Sequence, residues 1–294
     1  MTVSAELEAP RPATGDAFSD AVTLAFGDPR TGVYGLARAG LAGGGASGLA
    51  VLFRDGRTVA VRAEGGVPAE ADRWESARAA GVSTRVVEPL ARWEAAFDGG
   101  AEGGFALTAE ALGEPAVIAP DSAVGTAGAM EGYEHLVRVR GTVRAGGTEL
   151  EVDCLGQRGH AWGTPDWERM ALTRSIGAWY GDDLAVVLGA VRPAKGREHE
   201  SEAVTAAILE GAPPIPVGVQ RPLLSTTYDA DGHQRRAGFE LWPAGEDPYA
   251  RRGAGEVVCG TSLDLGRLRL DCSFFRWHME GREGVGRYDV LRRA

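Results

Sequence analysis

The 294-residue sequence predicts an all-β protein: two consecutive antiparallel β domains, barrel or sandwich in form, with one short helical insertion. Short apolar runs return roughly every ten residues, the spacing of strands joined by tight turns. Glycine, 43 residues of 294, stands mostly as single residues between those runs, where sharp turns need it. Only one segment has helical character.

The chain opens on a stretch rich in Pro, Gly and small residues, read as a flexible tail over residues 1–14. The runs AVTLAFG, GVYGLAR, GLAVLFR and RTVAVRA follow as a meander of strands, with Arg54, Asp55, Gly56 and Arg57 as a hairpin turn. PAEADRWESARAAG is the helical segment: Pro68 suits a first turn, Gly81 a stop, and Ala and Arg fill the interval. Strands resume at STRVVEP, ARWEAAF and FALTAEAL. The small, periodless residues of IAPDSAVGTAGAMEG then break the pattern and put the domain join there, with a first domain over 15–125 and a second over 126–294. HLVRVRGTVRA, TELEVDCL, RMALTRSIGAWY, DLAVVLGAV, EAVTAAIL, GFELW, EVVCGTSL, RLRLDCSFFRWHM and GVGRYDVLR supply the strands of the second.

Charge and composition exclude several partners. With 31 Lys and Arg against 41 Asp and Glu, the net charge of -10 repels phosphate backbones, so nucleic acid is not expected. The N-terminus has early acids and no apolar core of the kind a secretory signal needs, which leads to an expected cytoplasmic location. The longest apolar stretch, LAVVLGAV, falls far short of the roughly twenty residues of a membrane span. Cys154, Cys259 and Cys272 form no CxxC pair and read as buried reduced thiols. GGGASG from Gly43 to Gly48 has dinucleotide-loop spacing, but a strand-like run follows instead of a helix, so it reads as a hairpin connection. No cofactor is expected.

The chemistry-bearing residues gather around GQRGHAWGTPDW, from Gly156 to Trp167. Alternate residues of a strand share a face, so Tyr133 and His135 look inward with Val137, Val139 and Val143. Leu150, Val152 and Cys154 look inward against outward Asp153. Carried on, that parity puts Arg158, His160 and Trp162 inside, unless Gly156 carries a bulge. Leu268, Leu270, Cys272 and Phe274 share a third face that ends in Arg276 and His278. His135, His160 and His278 thus stand on predicted inner faces. Their spacing contains no metal-ligand pair, and no metal is expected. Arg158 stacked on Trp162 is the ordinary way to close a small barrel. His160, between them, is the candidate acid, with Asp153 and Asp166 as carboxyls able to donate or orient a proton.

The cassette resembles that of the hydroxyneurosporene synthase or carotenoid hydratase group, a lipocalin-like superfamily with two consecutive β-barrel-like domains. Its pattern Gly-x-Arg-Asp-His-Ser-Trp-Gly is matched here by Gly156, Arg158, Gly159, His160, Ala161, Trp162 and Gly163, with Trp167 beyond. Gly159 stands where relatives carry Asp, and Ala161 where they carry Ser. YEHLVRVRGTV, DAVTLAFGDPRTGVYGLAR and EGREGVGRYDV extend the likeness.

The resemblance implies a lipophilic small-molecule substrate in an apolar pocket at or near the domain junction, and proton-initiated hydration or cyclisation of an isoprenoid-like olefin. His160, or a carboxyl it orients, would protonate the double bond. Tyr133, Trp162 and Trp179 would face the cation, with His135, Arg158, Trp167, Phe274, Trp277 and His278 completing the walls. The superfamily also includes intramolecular Diels–Alder catalysts, so pericyclic chemistry is the second expectation. A non-catalytic carrier of a lipophile is the third.

Overall fold

The computed structural model describes residues 4–42, 45–71, 73–195, 202–245 and 249–294. In chain order its strands begin with β1 (Ser19–Asp28), β2 (Val33–Ala42), β3 (Gly45–Arg54), β4 (Arg57–Pro68), β5 (Val82–Glu88), β6 (Arg92–Asp98) and β7 (Gly103–Ala111). After β8 (Ala116–Ile118) and the short helix α1 (Ala123–Gly128) come β9 (Met130–Ala145) and β10 (Thr148–Gly163). The remainder is β11 (Met170–Gly181), β12 (Leu184–Pro193), β13 (Ala203–Gly211), β14 (Pro214–Gly218), β15 (Leu223–Tyr228) and β16 (Gln234–Leu241), then β17 (Arg251–Asp264), β18 (Leu268–Met279) and β19 (Arg282–Arg293).

The protein is all-β, with two curled antiparallel sheets. The first runs β4-β3-β2-β1-β10-β9-β7-β6-β5, the second β14-β13-β12-β11-β19-β18-β17-β16-β15. The β9–β10 hairpin therefore lies between two meanders of the first sheet. For that reason the first compact unit is Met1–Pro115 with Glu131–Pro165, and the second is Ala116–Met130 with Asp166–Ala294. This differs from the join expected after residue 125. Local breaks in periodicity do not reveal that a later hairpin returns to complete an earlier sheet.

The turn at Asp55 and Gly56 has positive φ at both residues, 50° and 78°, as a two-residue hairpin with right-handed strand twist requires. The expected helix over 68–81 is absent: among its described residues only Trp74–Ser76 make a single 3-10 turn. Trp74 is buried and its indole N–H donates to the Glu8 carbonyl at 2.7 Å. Burying that indole outweighs the helix propensity of the neighbouring Ala and Arg residues, which is worth only tenths of a kcal/mol each. Strands β14 and β15, which the sequence pattern does not announce, are the edges of their sheet. Pro214 and Pro216 fit such an edge, where an absent N–H costs no ladder bond.

In the first unit Val22, Leu24 and Phe26 of β1, Trp93, Ala95 and Phe97 of β6, Val137, Val139 and Val143 of β9, and Val152 and Cys154 of β10 meet in one core. In the second, Ile176, Ala178, Phe239, Phe275, Trp277, Tyr288 and Val290 do the same. Cys154, Cys259 and Cys272 are buried and free. Gly43 and Gly44 of the glycine run lie outside the described residues; Gly45–Gly48 begin β3. Among the described residues no helix is long and apolar enough to cross a membrane.

Candidate functional site

Strand β10 carries the cassette without a break. Its pairing with β1 runs in unbroken register from Leu155 opposite Gly27 to Gly163 opposite Ser19, so Gly156 holds no bulge. Gly156 serves instead as a point of close approach: a Cβ there would lie 2.5 Å from the Ala25 carbonyl oxygen and 2.7 Å from Val139 Cγ2. The parity of Val152 and Cys154 therefore continues through Arg158 and His160, which are 3% and 1% exposed in the core of the first unit.

Register explains who meets whom. His160 stands opposite Val22 and Trp162 opposite Asp20, so Asp20 is the diagonal neighbour of His160 on the same face. The Asp20 Oδ1 lies 2.7 Å from His160 Nε2, and the Leu7 carbonyl oxygen lies 2.7 Å from Nδ1. A carbonyl can only accept, so Nδ1 carries a hydrogen. Nε2 is hydrogen-bonded to the Asp20 carboxyl group. The other Asp20 oxygen accepts from the Arg11 backbone N–H at 2.6 Å.

Arg158 forms the second half of the cluster. One of its nitrogens donates to the Tyr133 hydroxyl at 2.9 Å, another pairs with the Glu8 carboxylate, and its guanidinium lies 5.0 Å from the centre of the Trp93 ring. Glu8 is itself 3% exposed, and its other oxygen accepts from the Leu90 N–H at 3.0 Å. Burial raises the Tyr133 pKa, and the Arg158 charge offsets part of that rise. Rings enclose the imidazole: Trp162 at 4.7 Å, Trp74 at 5.2 Å and Tyr133 at 5.7 Å between centroids. Trp162 is half-buried and carries Arg11 over its ring at 4.5 Å, while Arg158 stacks on Trp93 instead.

His135 packs against Tyr133 and Trp93 at 5.6 and 5.3 Å. Neither of its ring nitrogens has a hydrogen-bond partner of good geometry among the described residues. Burial first, then the Arg158 charge, pulls its pKa down to about 3, against a weaker upward pull from the Gly113 backbone. The imidazole is neutral in the fold.

The N-terminal stretch, expected to be a loose tail, is part of this cluster. Leu7, Glu8 and Arg11 tie it to His160, Trp74, Arg158, Asp20 and Trp162. Glu8, Asp20, Trp74 and Trp93 are the members that sequence reading missed. A signal existed for Asp20, which heads the inward face of Val22, Leu24 and Phe26. Glu8 gave none, because nothing local tells a tail from a segment held by a distant Arg.

Other expected site residues lie elsewhere. Asp153 points outward, exposed, with its carboxylate 3.2 Å from Arg140 Nε and 3.6 Å from Arg138 Nη1. Asp166 is an exposed turn residue of the second unit, accepting from the Glu168 N–H at 2.9 Å. Neither is among the partners of His160. Trp167 packs on Val124, Met170 and Val191. Trp179 and Phe274 are buried in the second unit, and Trp277 stacks on Phe275 at 5.3 Å in its core. His278 corrects the inner-face expectation: it is exposed beside Glu283, because β18 sends Phe275, Trp277 and Met279 to the core and Arg276 and His278 to solvent. The three histidines thus do not share a face. Among the described residues no three His, Cys, Asp or Glu side chains form a metal-sized group.

Gly159 has a local cause. A Cβ there would meet the Glu134 carboxylate, 2.3 Å from Oε2 and 2.6 Å from Cδ. Glu134, on β9, fills the space a side chain at 159 would need, and Gln157 Nε2 donates to it at 2.8 Å. A carboxylate is therefore present where the resembling cassettes carry Asp, but from the neighbouring strand. On the inner face, the cavity lined by Val22, Leu24, Ala39, Trp93 and Arg158 measures about 20 Å3, room for one water.

Residues 4–294 match a single family model, described as a domain of unknown function. The chain has no match among curated proteins. Among solved structures it is similar to a candidate AttH protein from Nitrosomonas europaea, at 10% identity and a TM-score of 0.67, covering 94% of this chain and 93% of that one. It is similar also to CghA in complex with Sch210972, at 12% identity and a TM-score of 0.69, covering 94% and 89%. A second structure of CghA gives 11% identity and a TM-score of 0.63, covering 94% and 88%. At such identities the likeness is one of fold, and the fold is two lipocalin-like domains.

Proposed function

The chain belongs to the DUF7064 family, and from that premise we propose that it is a cofactor-independent enzyme acting on a lipophilic olefinic small molecule, guiding a cyclisation by shape and polarisation. The observation that supports this chemistry over direct proton delivery is the state of His160. Both ring nitrogens lie 2.7 Å from acceptors, and the side chain has no exposed surface. A general acid needs a proton within hydrogen-bond reach of the substrate, and here aromatic rings and the N-terminal segment occupy that reach. That a fold neighbour, CghA, is solved with Sch210972 supports a reading in which the chain binds a ligand.

The second reading is proton-initiated hydration or cyclisation of an isoprenoid-like olefin. It is favoured by the hydrogen bond between His160 and Asp20 and by the Glu134 carboxylate beside Gly159. Native mass spectrometry of the purified protein is expected to reveal one lipophilic compound per chain, whose olefinic precursor then serves in assays. In the shape-guided reading His160→Gln, corrected for the folded fraction by circular dichroism, keeps turnover within about threefold of the parent. A fall of the order of 10² to 10⁴ with unchanged affinity would instead mark a proton transfer. Retention of the compound with no turnover of any precursor would make the protein a carrier and sink the enzyme reading.

A further inference from the structure

In the first unit, residues 4–12 form a strap over the His160 and Arg158 cluster. Within the strap only Glu8 is buried; Leu7 and Pro10 are half-buried, and Glu6 and Ala9 are exposed. The segment thus lies at the surface and sends one side chain inward, so the strap itself is what separates Glu8 and its partners from solvent on that side. The inserted side chain is a carboxylate rather than an apolar anchor, and polar contacts hold the segment in place. Segments with little buried apolar surface belong to the parts of a fold that open first.

Toward the barrel, Leu7 and Glu8 supply acceptors. The Leu7 carbonyl accepts from His160 Nδ1 at 2.7 Å and the Glu8 carbonyl from the Trp74 indole N–H at 2.7 Å. The Glu8 carboxylate accepts the Leu90 N–H at 3.0 Å and pairs with Arg158. Beneath the strap there is therefore a site lined by donors: a guanidinium, an imidazole N–H, an indole N–H and a backbone N–H. Farther along, the Arg11 guanidinium covers the half-buried Trp162 ring at 4.5 Å. Arg158 and Trp162 stand on one strand face four residues apart, about 13 Å by the rise of a strand. Lifting Glu8 alone would leave Arg158 a buried cation without its counter-ion, which is strongly unfavourable. The strap therefore leaves only in exchange for another anion.

We infer that the strap is an internal ligand, and that the site beneath it takes a lipophilic carboxylate with a carbonyl close to its acid group. The incoming carboxylate replaces that of Glu8 on Arg158 and the Leu90 N–H, a planar two-oxygen anion being what a guanidinium fits. Its carbonyl replaces those of the strap before His160 and Trp74, and its apolar body takes the place of Arg11 on Trp162. One carboxylate is exchanged for another, so the buried charge stays balanced. The inference rests on the reading above for the lipophile and adds its head group; binding and strap opening are read without turnover, so its failure is distinct from failure of the enzyme reading.

The test is calorimetric titration of the full chain with N-decanoylglycine and with N-(2-hydroxyethyl)decanamide, which share the acyl body and the amide carbonyl and differ in the head. The acid is expected to bind one per chain, at least tenfold tighter than the alcohol, and to speed hydrogen exchange of residues 4–12 at least tenfold at saturation. Glu8→Gln, which removes the competing carboxylate, is expected to tighten binding of the acid at least tenfold. Arg11→Ala loosens the strap without touching Arg158, and is expected to act in the same direction if the Gln variant does not fold. Equal affinity for acid and alcohol would overturn the inference. Binding that leaves exchange of the strap unchanged would place the ligand elsewhere and overturn it, and so would affinities that do not rise in the folded variants. Absence of binding by the parent and by the folded variants would make the pair of Glu8 with Arg158 purely structural, and would overturn it as well.

Discussion

At the scale of single residues, the first unit keeps two buried polar pairs in its core, the ion pair of Arg158 with Glu8 and the hydrogen-bonded pair of His160 with Asp20, and beside them an imidazole that is neutral. Opposed charges in a dry interior stabilise only when every remaining donor and acceptor is met, and removing one partner of such a pair typically costs about 3 to 5 kcal/mol. His135 works in the opposite sense, because Arg158 and burial together disfavour its protonation. With a folded pKa of about 3 against an ordinary value of 6.5, the unfolded chain binds more protons between those limits. The contribution of His135 is therefore complete above about pH 6.5 and is lost as pH falls toward 3, on the order of 5 kcal/mol in all. His135→Phe keeps a ring between Tyr133 and Trp93 and cannot titrate. Comparing urea midpoints at pH 7 and pH 4.5, the variant is expected to lose clearly less stability on acidification than the parent. Equal losses would place the acid sensitivity elsewhere.

At the scale of elements, β9 and β10 act as one piece, and the meeting of Gly159 with Glu134 shows it. Restoring an Asp at 159 would press a Cβ and a second carboxylate into the Glu134 carboxylate. Gly159→Asp is expected to destabilise by about 1 to 3 kcal/mol, as overpacking does, with like-charge repulsion added. Glu134→Ala should recover most of that loss in the double variant, although it leaves Gln157 Nε2 without this acceptor. A double-mutant cycle on thermal or urea unfolding measures the coupling, and a coupling near zero would contradict the geometry. Strand β10 also shows what periodicity can reach. Its two-residue alternation reads correctly from Val152 to His160 because nothing interrupts the register with β1. The same alternation on β18 placed His278 with the buried Cys272 and Phe274, yet at that end of the strand Arg276 and His278 are exposed.

At the scale of the whole molecule, the interleaving of the two units governs how the chain can be divided. A fragment ending at residue 125 lacks β9 and β10, which fill the middle of the first sheet between β1 and β7. Such a fragment exposes two inner sheet edges and leaves the faces of Val22, Leu24 and Phe26 without Val137 and Val139. It is expected to show no cooperative thermal transition and to aggregate. A fragment ending at 165 contains every strand of that sheet and is expected to unfold cooperatively, with circular dichroism dominated by strand. If the 125-residue fragment also folds cooperatively, the first sheet does not depend on the later hairpin.

By itself the sequence determined the class of the protein: strand after strand follows from period-two patterning and from turn residues such as Asp55 and Gly56, because these are local consequences of backbone geometry. It also determined that Arg158 and His160 look inward, since parity is local too. The partners of those two residues were decided only by the tertiary structure. Glu8 and Leu7 come from a stretch whose composition reads as a tail, and Asp20 reaches His160 only through the pairing of β1 with β10. The fate of the segment around Trp74 was decided in the same way, since burying one indole outweighs the summed helix propensity of its neighbours. Contacts between residues more than a hundred positions apart depend on strand order, and strand order is a property of the packed sheet that no window of sequence contains.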